Sequence, residues 1–131
     1  MTRPTYLALA ALPAGLSLAA CTKPIDAPTN RGVCWHAVPL KNHQIRFNQL
    51  SINQPNLESC AGSLEAMRLR FLGIGGANDE IMGAYQGNFL FLQHEGVFTS
   101  QSLTGSRYLM MVRTGDGRLA VPGVMPQPQS R

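Results

Sequence analysis

The sequence predicts an α+β domain: a small, mostly antiparallel sheet in the order β-β-α-β-β-β-β, with one long helix packed on a face. Three observations carry this. The stretch Asn56–Gly73 places apolar residues at steps of three and four, the repeat of an amphipathic helix. Around it lie short β-rich runs separated by Gly, Pro and Asn. The 131 residues are 44% hydrophobic and only 14% charged, a balance that suits a packed globule.

The first strand is read over Val33–Val38, ended by Pro39. The second spans His43–Asn53. Ile45 and Phe47 share one face, whereas Leu50 and Ile52 are out of phase, so a bulge near Asn48–Gln49 is expected to bring them into step. Gln54-Pro55 leads into the helix. There Asn56 is placed to cap, Glu58 to meet the positive end of the dipole, and Arg68 and Arg70 to meet the negative end. Leu57, Cys60, Ala61, Leu64, Met67 and Phe71 form the expected buried face, and Gly73 is expected to close the helix in a left-handed conformation. Gly73–Asn78 reads as a connector. Asn78–Met82 reads as one short helical turn, and Ala84–Gly87 as the lead into the strands that follow. Asn88–Gln93 is apolar on both faces and is therefore a central strand. His94-Glu95-Gly96 makes a hairpin loop to Val97–Gln101. Strands over Arg107–Arg113 and Arg118–Val121 follow, joined by Thr114–Gly117.

The N-terminus is of a different kind. Tyr6–Ala20 is uncharged and mostly apolar behind the single basic residue Arg3, the pattern of an export signal too short for a comfortable membrane span. It ends in Leu18-Ala19-Ala20-Cys21. In this the sequence resembles a bacterial lipoprotein precursor, whose lipobox is a Leu, two small residues and a Cys. The resemblance covers about the first fifth of the chain. It implies cleavage before Cys21, a diacylglyceryl thioether on its sulfur and acylation of the new amino group; Thr22, where an Asp would retain such a protein at the inner membrane, points to the outer membrane. The chain then divides into a signal peptide (1–20), a lipidated tether (21–32), an α+β domain (33–123) and a loose Pro- and Gln-rich tail (124–131). The expected location is the cell envelope, facing the periplasm.

Setting Cys21 aside leaves Cys34 and Cys60. In an oxidising compartment a lone pair is expected to form a disulfide, here tying the first strand to the first turn of the helix. Removing Arg3 from the eleven basic residues leaves ten against seven acidic, a balance of +3. The basic residues are scattered, which argues against nucleic acid.

No motif assigns an enzyme. Cys34-Trp35-His36 lacks the further ligands a metal needs, since His43 and His94 are isolated. Gly73–Asn78 follows a helix instead of opening one and lacks Gly-Lys-Ser/Thr, so it is a connector and not a phosphate loop. No Gly-x-Ser-x-Gly elbow is present. Glu58, Glu65, Asp79, Glu80, Glu95 and Asp116 fall at helix starts, on a solvated helix face or in turns. No cofactor is expected. Trp35, Tyr85 and Tyr108 are the candidates for an interaction surface. Because two strands are apolar on both faces, part of the sheet is expected to be covered by a partner. The function expected is that of a non-catalytic structural or interaction lipoprotein, with an envelope protein or peptidoglycan as partner. A glycan-binding module is the alternative, and a small hydrolase or thiol enzyme a more remote one.

Overall fold

The computed structural model describes residues 2, 4–5, 10–15, 23–76 and 80–123. Its elements are β1 (Cys34–Pro39), β2 (Ile45–Ser51), α1 (Leu57–Gly73), β3 (Ile81–Tyr85), β4 (Asn88–Gln93), β5 (Gly96–Ser100), β6 (Tyr108–Arg113) and β7 (Leu119–Ala120). All neighbouring pairs are antiparallel, in the order β2-β1-β3-β4-β5-β6-β7. The class is the α+β predicted, but the sheet has seven strands and is not small. Cys21, Thr22, most of the signal segment and the tail 124–131 lie outside the described residues.

The strand missed from the sequence is β3. Ile81 and Met82 are not in a helical turn; they begin a strand that pairs with β1 and β4 and is buried at all five positions. Gly83 disguised it, because glycine weakens a strand on propensity alone. Its role is steric: a Cβ there would stand 2.3 Å from Leu64 Cδ1 and 2.9 Å from the Trp35 carbonyl. The helix rests on this gap. β3 joins β4 through Gln86 and Gly87, at φ 43° and 84°, with Tyr85 paired to Asn88. Two consecutive positive φ values mark a type I′ hairpin turn, whose twist suits the strands.

Strand alternation divides the core into two layers. On the helix side, Cys34, Cys60, Ala61, Leu64, Ile81, Tyr85, Leu90, Leu92, Val97 and Met111 form one cluster. On the other side, Ala37, Met82, Ala84, Phe89 and Phe91 form a second, with Trp35, Ile45, Phe47, Phe98 and Leu103 packed around it. β4 lies fourth of the seven strands, so both of its faces are covered, as its unbroken apolar run requires. The second layer is closed from within the chain. Ala27 of the segment before β1 is buried in it, and Pro28 O accepts from Gly87 N at 2.9 Å. Leu103 arrives from the β5–β6 loop. Phe89 and Phe91 are at most 1% exposed, so no partner is needed to cover them.

Two register slips adjust the edges. Cys34 pairs with Ser51 and Trp35 with Gln49, which leaves Leu50 as the extra residue. The bulge therefore lies close to the position expected. It does not unite the apolar residues, however: Leu50 packs on the helix side and Ile45 and Phe47 on the other. Met110 is the extra residue in β6, and both it and Met111 reach the helix-side cluster.

The helix begins as predicted, with Asn56 Oδ1 accepting from Ser59 N at 2.8 Å. Its end differs. Gly73 is the last helical residue, Ile74 follows at φ −95°, and the positive φ falls on Gly75. Its buried set also differs. Cys60, Ala61 and Leu64 are buried as expected, whereas Phe71 is 41% exposed and Glu65 and Arg68 are buried at 3% and 6% exposure.

A disulfide joins Cys34 to Cys60 across a Cα–Cα distance of 5.3 Å, both residues fully buried. It ties β1 to the first turns of α1. Closing a loop of 26 residues contributes ~3.5 kcal/mol in the chain-entropy model.

Candidate functional site

The three surface candidates do not come together. Trp35 is half-buried on the second face, and its indole N–H is buried with no hydrogen-bond partner among the described residues. Tyr85 is 4% exposed, and its hydroxyl donates to Gln54 O at 2.7 Å, which fastens the entry to α1 against β3. It is a core residue and presents no surface. Tyr108, at the start of β6, is 68% exposed. Four strand spacings separate β1 from β6, roughly 19 Å, so Trp35 and Tyr108 cannot share a small ligand.

An open cleft of about 540 Å³, lined by uncharged residues, surrounds Tyr108. It is built where the β3–β4 turn, the end of β5 and the β5–β6 loop meet. Asn88 opens β4, Thr99 stands opposite Tyr108 in the β5–β6 ladder, and Gln101, Ser102 and Ser106 come from the loop. Local chemistry explains the shape of this loop. Ser100 Oγ accepts from Ser102 N at 3.2 Å, closing a hydroxyl-stabilised turn as the chain leaves the strand. Leu103 anchors the middle of the loop in the second core layer. At its end, the Arg107 guanidinium lies 3.5 Å above the Phe91 ring and 3.6 Å from the Glu80 carboxylate. Glu80 also accepts from Gln93 Nε2 at 3.0 Å. The loop is thus pinned at three points, and none of the residues lining the cleft is charged. From the sequence Gln101 was read as the end of a strand, and Ser102 and Ser106 only as connection. The signal available was the uncharged, hydroxyl-rich run Thr99–Ser106, in which Leu103 is the one large apolar side chain.

A second, apolar groove of about 390 Å³ runs between the end of α1 and β1–β3, lined by Val38, Pro39, Met67, Phe71 and Met82 with His36 at its side. Burial holds the His36 pKa below the ordinary imidazole value, and the nearby Arg46 charge lowers it further. The ring is therefore neutral near pH 7. His36 shares the helix side with Cys34, but that sulfur is in the disulfide, so a thiol–imidazole pair is absent.

Glu65 and Asp116 have structural roles. Glu65, expected on a solvated face, is the centre of a buried cluster. Its Oε1 accepts from Arg113 Nε at 2.7 Å and from Arg68 NH1 at 3.3 Å, and its Oε2 accepts from Arg113 NH2 at 3.0 Å. Arg113 also donates to the carbonyls of Gln93 and His94, so one guanidinium joins helix, hairpin and β6. Asp116 orders the β6–β7 turn, accepting from the Thr114 hydroxyl and from Arg118 N. The Thr114 bond is the main cause of a carboxyl pKa below the ordinary range. Among the described residues no group of three His, Cys, Asp or Glu is arranged to hold a metal ion, and no helix is long and apolar enough to cross a membrane.

No protein-family model matches the chain, and neither a curated protein nor a solved structure shows significant similarity to it.

Proposed function

We propose that the chain is an exported lipoprotein, fixed to an envelope membrane through acylated Cys21, whose disulfide-stapled domain works by contact and not by catalysis. The observation that supports this most is the buried Cys34–Cys60 disulfide. A fully buried structural bridge belongs to an oxidising compartment. It also consumes both cysteines of the domain and leaves Cys21, in its Leu18-Ala19-Ala20-Cys21 setting, as the one sulfur to be lipidated. Two or more acyl chains hold a protein on a bilayer stably, where one is marginal. Thr22 in place of Asp favours the outer membrane. The contact role is supported by Glu65 and Glu80, which are held in ion pairs, by Asp116, which orders a turn, and by Cys34 and Cys60, which form the bridge.

Fractionation of expressing cells tests the anchor. The wild-type chain is expected in the membrane pellet and soluble only with detergent, and Cys21→Ser in the soluble fraction. A wild-type protein found in the soluble extract contradicts the proposal. Cross-linking on intact membranes then identifies the protein or glycan touched.

A further inference from the structure

We infer that the cleft around Tyr108 is a binding site for a neutral saccharide chain. This deepens the contact reading by naming what the domain touches. The inference depends on the cleft alone, so it stands or falls independently of acylation at Cys21.

The lining chemistry selects the ligand class. Asn88, Thr99, Gln101, Ser102, Ser106 and Tyr108 contribute hydroxyls and carboxamides, groups that both donate and accept hydrogen bonds. A sugar hydroxyl does the same, so each partner can match whatever the other offers. Part of this inventory is already used: Thr99 Oγ1 donates to Phe89 O at 3.0 Å, and Asn88 Nδ2 reaches Gln86 O at 3.4 Å. Their acceptor oxygens stay available, as do both ends of the Gln101 amide and the Ser106 and Tyr108 hydroxyls, for which the described residues supply no hydrogen bond. An anionic ligand would need a cation in the lining. The nearest Arg of the loop, Arg107, is instead held over Phe91 and against Glu80. Tyr108 adds a flat apolar face with a polar tip, 68% exposed at the cleft mouth. Sugar C–H faces stack on such a ring while their hydroxyls turn to the walls.

Geometry supports the same conclusion. A volume of about 540 Å³ falls in the usual range of ligand sites, roughly 300–1,000 Å³. The loop is fixed by Leu103, by Arg107 and by the Ser100–Ser102 turn before any ligand arrives, so little ordering remains to be done on binding.

The test is an amide-shift NMR titration of the full chain in detergent micelles with N-acetylglucosamine tetramer, maltotetraose and inorganic phosphate. Saturable shifts at Ser102, Ser106 and Tyr108 with at least one sugar are expected, at a dissociation constant of millimolar or below. Tyr108→Ala and Gln101→Ala, each with an unchanged amide spectrum elsewhere, are expected to weaken binding at least tenfold and several-fold respectively. The inference is overturned if neither sugar moves these amides, if phosphate binds them as tightly as the sugars, or if both variants bind like the parent. Loss of sugar binding would leave membrane attachment untouched, and a chain without acyl groups would still bind sugar.

Discussion

Replacing Glu65 with Ala is expected to damage the domain more than any other single polar substitution. The carboxylate is 4% exposed and lies between two guanidinium groups, Arg68 at 7% and Arg113 at 22% side-chain exposure. All three are shielded enough that solvent screening does not discount the effect. Truncation removes the carboxylate that both guanidinium groups share in a poorly solvated space between α1 and β6. Removing one member of a buried ion pair costs about 3–5 kcal/mol, a large share of a total margin of order 5–15 kcal/mol. With a urea slope of roughly 1–2 kcal/mol/M for a small domain, the midpoint should fall by roughly 1.5–5 M. Trp35, the only tryptophan, gives the fluorescence signal for the unfolding curve. A triple variant, Glu65→Met with Arg68→Leu and Arg113→Met, removes charge and countercharge together and is expected to recover most of the loss. If Glu65→Ala costs less than about 1 kcal/mol, the typical worth of an exposed pair, the cluster is solvated and the reasoning fails.

Three further outcomes follow from the packing. Reduction of the Cys34–Cys60 bridge, or a Cys34→Ala/Cys60→Ala double variant, should lower stability by ~3.5 kcal/mol, read from unfolding curves with and without dithiothreitol; coincident curves would mean that the bridge restrains nothing. Gly83→Ala should cost about 1–3 kcal/mol, because its Cβ would meet the Leu64 methyl and the rigid Trp35 carbonyl; trimming Leu64 to Val in the same chain relieves only the first clash, so rescue should be partial. His36 titrates below its ordinary value of 6.5 in the folded domain. The unfolded chain then binds more protons as the solution is acidified, so the stabilising contribution is complete above pH 6.5 and is lost as pH falls towards the folded pKa. His36→Gln should flatten the fall in stability as pH drops below 6.5; an unchanged slope would assign that pH dependence to other groups.

The readable parts of the sequence were those written in local chemistry. Asn56 announces the helix start because its cap is made three residues away, to Ser59. The apolar run of β4 announces a strand covered on both faces. Setting Cys21 aside as the lipobox cysteine left one pair for the bridge. What escaped depends on partners distant in sequence. Glu65 looked solvated because the residue that draws it inward, Arg113, stands 48 positions later. Gly83 looked like a break, and only the arrival of Leu64 above it shows why glycine suits that strand. Tyr85 looked like surface until Gln54 supplied a carbonyl for its hydroxyl. The cleft around Tyr108 has no motif, because it is assembled from a turn, a strand end and a loop whose shape is set from beneath by Phe91 and Glu80.

The most direct measurement is the intact mass of the chain extracted from membranes under non-reducing conditions. The proposal requires a polypeptide beginning at Cys21, carrying a diacylglyceryl group and an amide-linked acyl chain, and lighter by the two hydrogens lost to the Cys34–Cys60 bridge. A mass that matches the unprocessed sequence from Met1, without lipid and with all three thiols intact, would contradict it.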